Sequence, residues 1–137
     1  MNANDHALGL GRLMGNLQSL EATIRIFLAR ADPSINSITG GTLGQLVGEY
    51  NDQLANGEYP IDMQVVTIRN AVAHGLVIAP SNMSLSLTLN KSLPLTLFHD
   101  GVSYPMTVDW FHDQQALVRD QINHIVACAK KRGYPVS

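Results

Sequence analysis

Apolar residues recur every three or four positions in the first part of the chain, the spacing of a helix with one buried face. This stripe predicts a first helix over residues 5–31, and Asp32-Pro33 ends it because proline disfavours helix in the residue before it. The positions that define the stripe are Leu10, Leu13, Leu17, Leu20, Ile24, Phe27 and Ala31.

Two further helices follow, each opened by a capping residue. Thr42 with Gln45 three positions later forms a capping-box pattern, in which each side chain satisfies a free backbone donor. Asp62 is a favourable N-cap for a third helix, and the apolar stripe after it extends the predicted helix to residue 79. The other side of this helix, with Met63, Thr67 and Ala71, is almost uncharged.

The period changes from helical to alternating between residues 80 and 106, which predicts a small antiparallel hairpin or meander, including a strand over residues 83–89. Asp100-Gly101 marks its turn. A last helix begins near Thr107 or Asp109, and the cations at residues 130–132 complement the negative end of its dipole. The pattern therefore predicts a mostly α fold of four to five helices, with the β-hairpin between the third and last helices.

Composition narrows the class of protein. A chain of 137 residues with an apolar fraction of 45% suits one domain, residues 1–137, with one core. A single cysteine, Cys128, and the lack of a long apolar run predict a cytoplasmic protein with no membrane association. The net charge of −2 argues against a broad nucleic-acid-binding surface, so any RNA site must concentrate its positive charge locally.

The third helix contains an unusual polar group, Arg69, Asn70 and His74. An imidazole can take or give a proton near neutrality, and a guanidinium can bind a phosphate through two parallel bonds. RNA supplies its own nucleophile, the 2′-hydroxyl, so these two groups suffice for transesterification without a metal or cofactor. The histidines are scattered and lack paired carboxylates at ligand spacing, so the sequence predicts no metal site.

Helix geometry separates these residues. Arg69 and His74 lie about 140° apart around an ideal helix, whereas Asn70 and His74 share a face. A two-fold dimer would bring the residues of two copies together, and the uncharged second face of this helix predicts such a homodimer. The alternatives are that the chain itself covers this face, and that Arg69 pairs with an acid such as Glu21 or Glu49.

The hexad from Arg69 to His74, followed by Gly75, resembles the Arg-Asn-x-x-x-His motif of the HEPN superfamily. The Thr42-Leu43-Gly44-Gln45-Leu46 helix start, found before the motif in some relatives, extends the resemblance. The resemblance implies a helical bundle that pairs with a second copy to form a cleft and cleaves RNA without metal, in a toxin or defence setting. His74 would transfer the proton, Arg69 would stabilise the phosphate and transition state, and Asn70 would bind or orient the substrate.

One departure concerns regulation. HEPN toxins paired with a nucleotidyltransferase antidote typically carry a tyrosine two residues after the histidine, where this chain has Leu76. That argues against control through such a tyrosine and leaves another antidote or regulatory protein as the expected partner. The inserted hairpin also differs from the simplest all-helical members. Two other functions stay open: a non-catalytic module that binds RNA, nucleotide or protein through the same cleft, and a structural dimerisation domain.

Overall fold

The structure, a computed structural model, describes residues 1–33, 41–79, 84, 87–88 and 94–135. Within these ranges the protein is mostly helical, with a three-stranded antiparallel sheet between the third and last long helices, which confirms the predicted fold class. The long helices are α1 (Ala3–Ala31), α2 (Leu43–Asp52), α3 (Gln64–His74) and α4 (Val108–Arg132). The strands are β1 (Leu76–Ile78), β2 (Thr96–His99) and β3 (Val102–Pro105).

The helices begin at residues whose side chains satisfy free backbone donors. Thr42 Oγ1 accepts from the N–H of Gln45, and Gln45 Oε1 accepts from the N–H of Thr42, which confirms the predicted capping box. At α3, Asp62 Oδ1 accepts from the N–H of Gln64. Thr107 Oγ1 accepts from the N–H of Trp110 at the start of α4. Local sequence chemistry therefore sets these three starts.

Helix ends also follow local rules in two places. α1 ends at Ala31, immediately before the Asp32-Pro33 pair. α4 ends at Arg132, where Gly133 adopts a φ of +77° and the N–H of Tyr134 donates to the carbonyl of Ala129. A glycine at this position adopts the left-handed conformation without steric cost, which is the usual way to stop a helix.

The sheet has the strand order β1-β2-β3, with antiparallel pairing throughout. The turn between β2 and β3 consists of Asp100 and Gly101, with φ values of 51° and 77°. Two central residues with positive φ define the tight turn that matches the twist of a β-hairpin. This confirms the predicted hairpin and its turn.

The predicted third helix was too long. α3 ends at His74 rather than residue 79, and the residues from Leu76 to Ile78 form β1 instead. β1 pairs with β2, so that Leu76 faces Phe98 and Ile78 faces Thr96. The backbone donors of this segment therefore bond to a strand rather than continue the helix.

The strand predicted over residues 83–89 is also wrong where the structure describes it. Leu87 and Thr88 are helical, and the N–H and hydroxyl of Thr88 both donate to the carbonyl of Ser84, four residues earlier. This is the hydrogen-bond spacing of a helix. The other residues of the predicted strand lie outside the described ranges.

The chain divides into two compact units, Met1–Gly15 with Thr67–Ala116, and Asn16–Val66 with Leu117–Ser137. In the first unit, Ala71, Leu95, Leu97, Met106 and Phe111 form a buried cluster. In the second unit, the buried side chains include Leu17, Leu20, Ile24, Phe27, Leu43, Leu46, Val47, Tyr50, Val65, Val118 and Ile125. The buried residues of the second unit follow the apolar stripes of the helices, whereas Leu95, Leu97 and Met106 of the first unit lie in or beside β2 and β3.

Candidate functional site

The hexad lies in the last two turns of α3. Arg69 and Asn70 are half-buried, whereas His74 is exposed at the last position of the helix. A guanidinium nitrogen of Arg69 donates to the side-chain oxygen of Asn70 over 3.5 Å, so the structure brings these two residues together. His74 shares a helix face with Asn70, four residues earlier, and lies about 140° around the helix from Arg69.

Contrary to the sequence prediction, Ala71 does not lie on a face open to a partner chain. Its side chain is fully buried in the cluster with Leu97 and Met106 of the same chain. The expectation that a partner chain covers Ala71 is therefore wrong, because the β-hairpin of this chain already does so. Met63 and Thr67, the other residues predicted on that face, are exposed.

Gly75 allows a close approach between the end of α3 and β2. The N–H of Gly75 donates to the carbonyl of Ala71 over 2.7 Å, which closes the last turn of α3. A Cβ on Gly75 would lie 2.9 Å from a methyl group of Leu97 and 3.0 Å from the carbonyl oxygen of Phe98. Because real Cβ atoms rarely approach so closely, only glycine fits between the helix and β2.

Strand β1 presents apolar side chains directly after the hexad. Leu76, Val77 and Ile78 are 65%, 45% and 40% exposed, and Phe98 beside Leu76 is 38% exposed. Among the described residues β2 is the one neighbour of β1 in the sheet, so β1 lies at the edge of the sheet as described. An apolar edge strand is a surface suited to pairing with another polypeptide.

A second polar group lies in the other unit and was not predicted from the sequence. The Arg132 guanidinium donates from Nε to Glu58 Oε2 over 2.8 Å, and a second nitrogen donates to Oε1. The Cys128 thiol also donates to Glu58, over 3.0 Å, and Arg132 lies over the ring of Phe27. No local pattern connects Glu58 with Arg132, which are 74 residues apart.

The environment shifts the pKa of each member away from neutrality. Hydrogen bonds from Arg132 hold the pKa of Glu58 well below its usual range, and the carboxylate raises the pKa of Arg132 in turn. Burial raises the pKa of the Tyr50 hydroxyl and of the Cys128 thiol. None of these shifts brings a group towards neutrality for acid–base catalysis, so this cluster is structural.

His6 is also a structural residue that the sequence did not identify. Its ring is 2% exposed, Nδ1 lies 2.8 Å from the carbonyl of Asn2, and Nε2 accepts from the N–H of Leu95 over 2.9 Å. Since a carbonyl only accepts, Nδ1 carries the proton and the imidazole is neutral. His6 therefore holds Leu95, the residue before β2, against the first turn of α1.

The described part of the chain contains neither a metal-binding cluster nor a membrane-spanning helix. No three His, Cys, Asp or Glu side chains there are placed to hold a metal ion. None of the described helices combines the length and apolar character needed to cross a bilayer. No family model, no curated protein and no solved structure matches the chain.

Proposed function

We propose that this protein is a metal-independent endoribonuclease that acts through a cleft between two copies of α3. The observation that carries the proposal is the placement of the hexad: an exposed His74 ends the helix, and the Arg69–Asn70 pair lies one turn earlier. The exposed imidazole is accessible to a substrate. The half-buried guanidinium lies beside the Asn70 amide.

The chemistry uses the RNA itself as the nucleophile. The 2′-oxygen attacks the adjacent phosphorus as it loses its proton, and the bond from phosphorus to the 5′-oxygen breaks as that oxygen gains a proton. The products are a 2′,3′-cyclic phosphate and a 5′-hydroxyl. One imidazole removes a proton and another supplies one, so two copies of His74 provide the base and the acid. Arg69 stabilises the added charge on phosphorus.

The paired arrangement is supported by the surface beside the hexad. Leu76 follows His74 by two residues and is 65% exposed, and the rest of β1 is apolar and lies at the edge of the sheet within the described residues. Burying such a surface against a second copy would stabilise the pair. The proposal includes a cytoplasmic role in toxicity or defence, with an antidote or regulatory protein that restrains the enzyme.

The test is cleavage of total RNA in the presence of a chelator, with analysis of the product ends. Wild-type protein should leave cyclic phosphates, and His74→Ala should lower the rate by about a hundredfold to ten-thousandfold, the range for loss of a general acid or base. Arg69→Lys should recover little activity relative to Arg69→Ala, because lysine lacks the planar fork. His124→Ala, a change at an exposed histidine of α4, is the matched control.

Two outcomes would contradict the proposal. Cleavage by His74→Ala at the wild-type rate would reject the assignment of His74. A wild-type protein that sediments as a monomer at micromolar concentration while cleaving RNA would reject the paired cleft.

A second candidate function is a non-catalytic module that binds RNA, nucleotide or protein through the same surface. The exposed apolar strand β1 favours it, since an edge strand provides a binding surface whether or not chemistry follows. Binding without cleavage of any RNA would select this function over the nuclease.

A further inference from the structure

A groove lies in the unit formed by Met1–Gly15 and Thr67–Ala116, between the first turns of α1 and α4, and encloses about 400 Å³. The Phe111 ring can form the floor of the groove because Gly9 has no side chain to displace it. A Cβ at Gly9 would lie 2.7 Å from the ring of Phe111, so the ring packs directly on the backbone of α1. Phe111 also belongs to the buried cluster that contains Ala71 of the hexad.

The walls of the groove expose apolar surface. Leu8 is 54% exposed and Val108 is 56% exposed, and both line the groove. Covering such exposed apolar side chains with an apolar group lowers the free energy. A nucleobase offers an apolar face of this kind.

Two cationic or potentially cationic groups lie at the same groove. Arg12 and His112 line it, and neither side chain forms a hydrogen bond or ion pair within the described residues. The carboxylate of Asp5, which also lines the groove, accepts from the N–H of Asn2 in the first turn of α1. Val108, the first residue of α4, also lines the groove.

We propose that this groove binds one nucleotide unit, with the base against Leu8 and Val108 and the phosphate at Arg12 and His112. The inference rests on the proposed function, and it places a nucleotide of the RNA strand outside the scissile bond. Because Phe111 packs in the same cluster as Ala71, the groove and the hexad belong to one packed unit. Binding in the groove would then contribute to the affinity and register of the RNA without taking part in the chemistry.

The experiment measures the affinity of a labelled five-nucleotide RNA for the His74→Ala protein, so that cleavage does not interfere. Adding Arg12→Gln should weaken binding about tenfold, the effect of losing one charge-assisted hydrogen bond. It should also reduce the slope of log affinity against log salt by about 0.7, the value for one phosphate contact to a single strand. Leu8→Gln should weaken binding while leaving that slope unchanged.

Arg119→Gln is the matched control, because Arg119 is an exposed arginine of α4 that does not line the groove. It should bind RNA as the parent protein does, and circular dichroism should show equal helix content in all variants. Equal affinity and salt slope for Arg12→Gln and Arg119→Gln would overturn the inference.

Competition by adenosine monophosphate shows whether the groove binds a free nucleotide or a nucleotide within an RNA strand. Competition that Arg12→Gln abolishes would identify a free nucleotide as a ligand of the groove. Loss of RNA affinity in Arg12→Gln without such competition would identify the RNA strand. Failure of the proposed nuclease activity would give a different result. If the wild-type protein binds RNA through Arg12 but does not cleave it, the binding groove is supported and the catalytic role of His74 is rejected.

Discussion

Replacing Glu58 with glutamine removes the negative charge that the Arg132 side chain contacts through two of its nitrogens. The two side chains are only 14% and 19% exposed, so water replaces little of the lost interaction. Breaking a fully buried pair costs about 3–5 kcal/mol. Glutamine keeps one oxygen acceptor and the pair is slightly exposed, so we expect Glu58→Gln to lower the free energy of unfolding by about 2–3 kcal/mol at pH 7.

The same variant should change the dependence of stability on pH. The pKa of Glu58 is lowered in the folded protein, chiefly by the hydrogen bonds from Arg132. A carboxylate whose pKa is lower when folded stabilises the protein above its ordinary unfolded pKa, and this contribution is lost as the pH falls towards the folded value. Wild-type stability should therefore decline from about pH 5 downwards, and Glu58→Gln should show a shallower decline.

The assay is urea unfolding followed by circular dichroism at pH values from 7 to 3. Glu49→Gln is the control, because Glu49 is exposed, and it should alter the unfolding free energy by less than about 0.5 kcal/mol. The reasoning is refuted if Glu58→Gln is as stable as Glu49→Gln at pH 7. An acid dependence identical to that of the wild type would refute the assignment of the pKa shift.

Two further predictions concern the surroundings of the hexad and the sheet. Gly75→Ala should lower the unfolding free energy by about 1–3 kcal/mol in urea titrations, because the new methyl group meets β2. Gly11→Ala, where a methyl group would meet nothing within 4 Å, should cause no loss, and equal behaviour of the two variants would contradict the close approach. His6→Ala should cost about 1–3 kcal/mol in the same titrations, because the N–H of Leu95 loses its acceptor, and unchanged stability would show that the bond contributes nothing.

Features set by neighbouring residues could be predicted from the sequence. The capping box of Thr42 and Gln45 and the turn of Asp100 and Gly101 each depend on chemistry within a few residues, and both occur as expected. At these positions the neighbouring residues alone favour a single local structure.

The end of α3 could not be predicted in the same way. The apolar residues from Leu76 to Ile78 suit a helix stripe and a strand equally well. Pairing with β2 determines which forms, and Phe98, the partner of Leu76, lies more than twenty residues further along the chain. The same long-range contact buries Ala71, which the helical period alone placed on a face open to a partner.

The same distinction between local and long-range contacts holds for the candidate functional sites. The hexad could be found from the sequence because its residues lie within two turns of one helix. The groove at Arg12 and His112 could not, because those residues lie on different helices and no spacing connects them. The pairing of Glu58 with Arg132 could not be predicted either, because the residues lie 74 positions apart, and the basic end of α4 was predicted to complement the helix dipole.

The buried thiol of Cys128 gives the protein an internal reporter of its own opening. It is the only cysteine of the chain and is 8% exposed, and burial raises its pKa, so the folded state holds it as an unreactive thiol. The sulfur becomes accessible to a disulfide reagent only when this part of the chain opens. When the reagent reacts faster than the protein recloses, its rate of modification therefore measures how often the cluster around Glu58 opens.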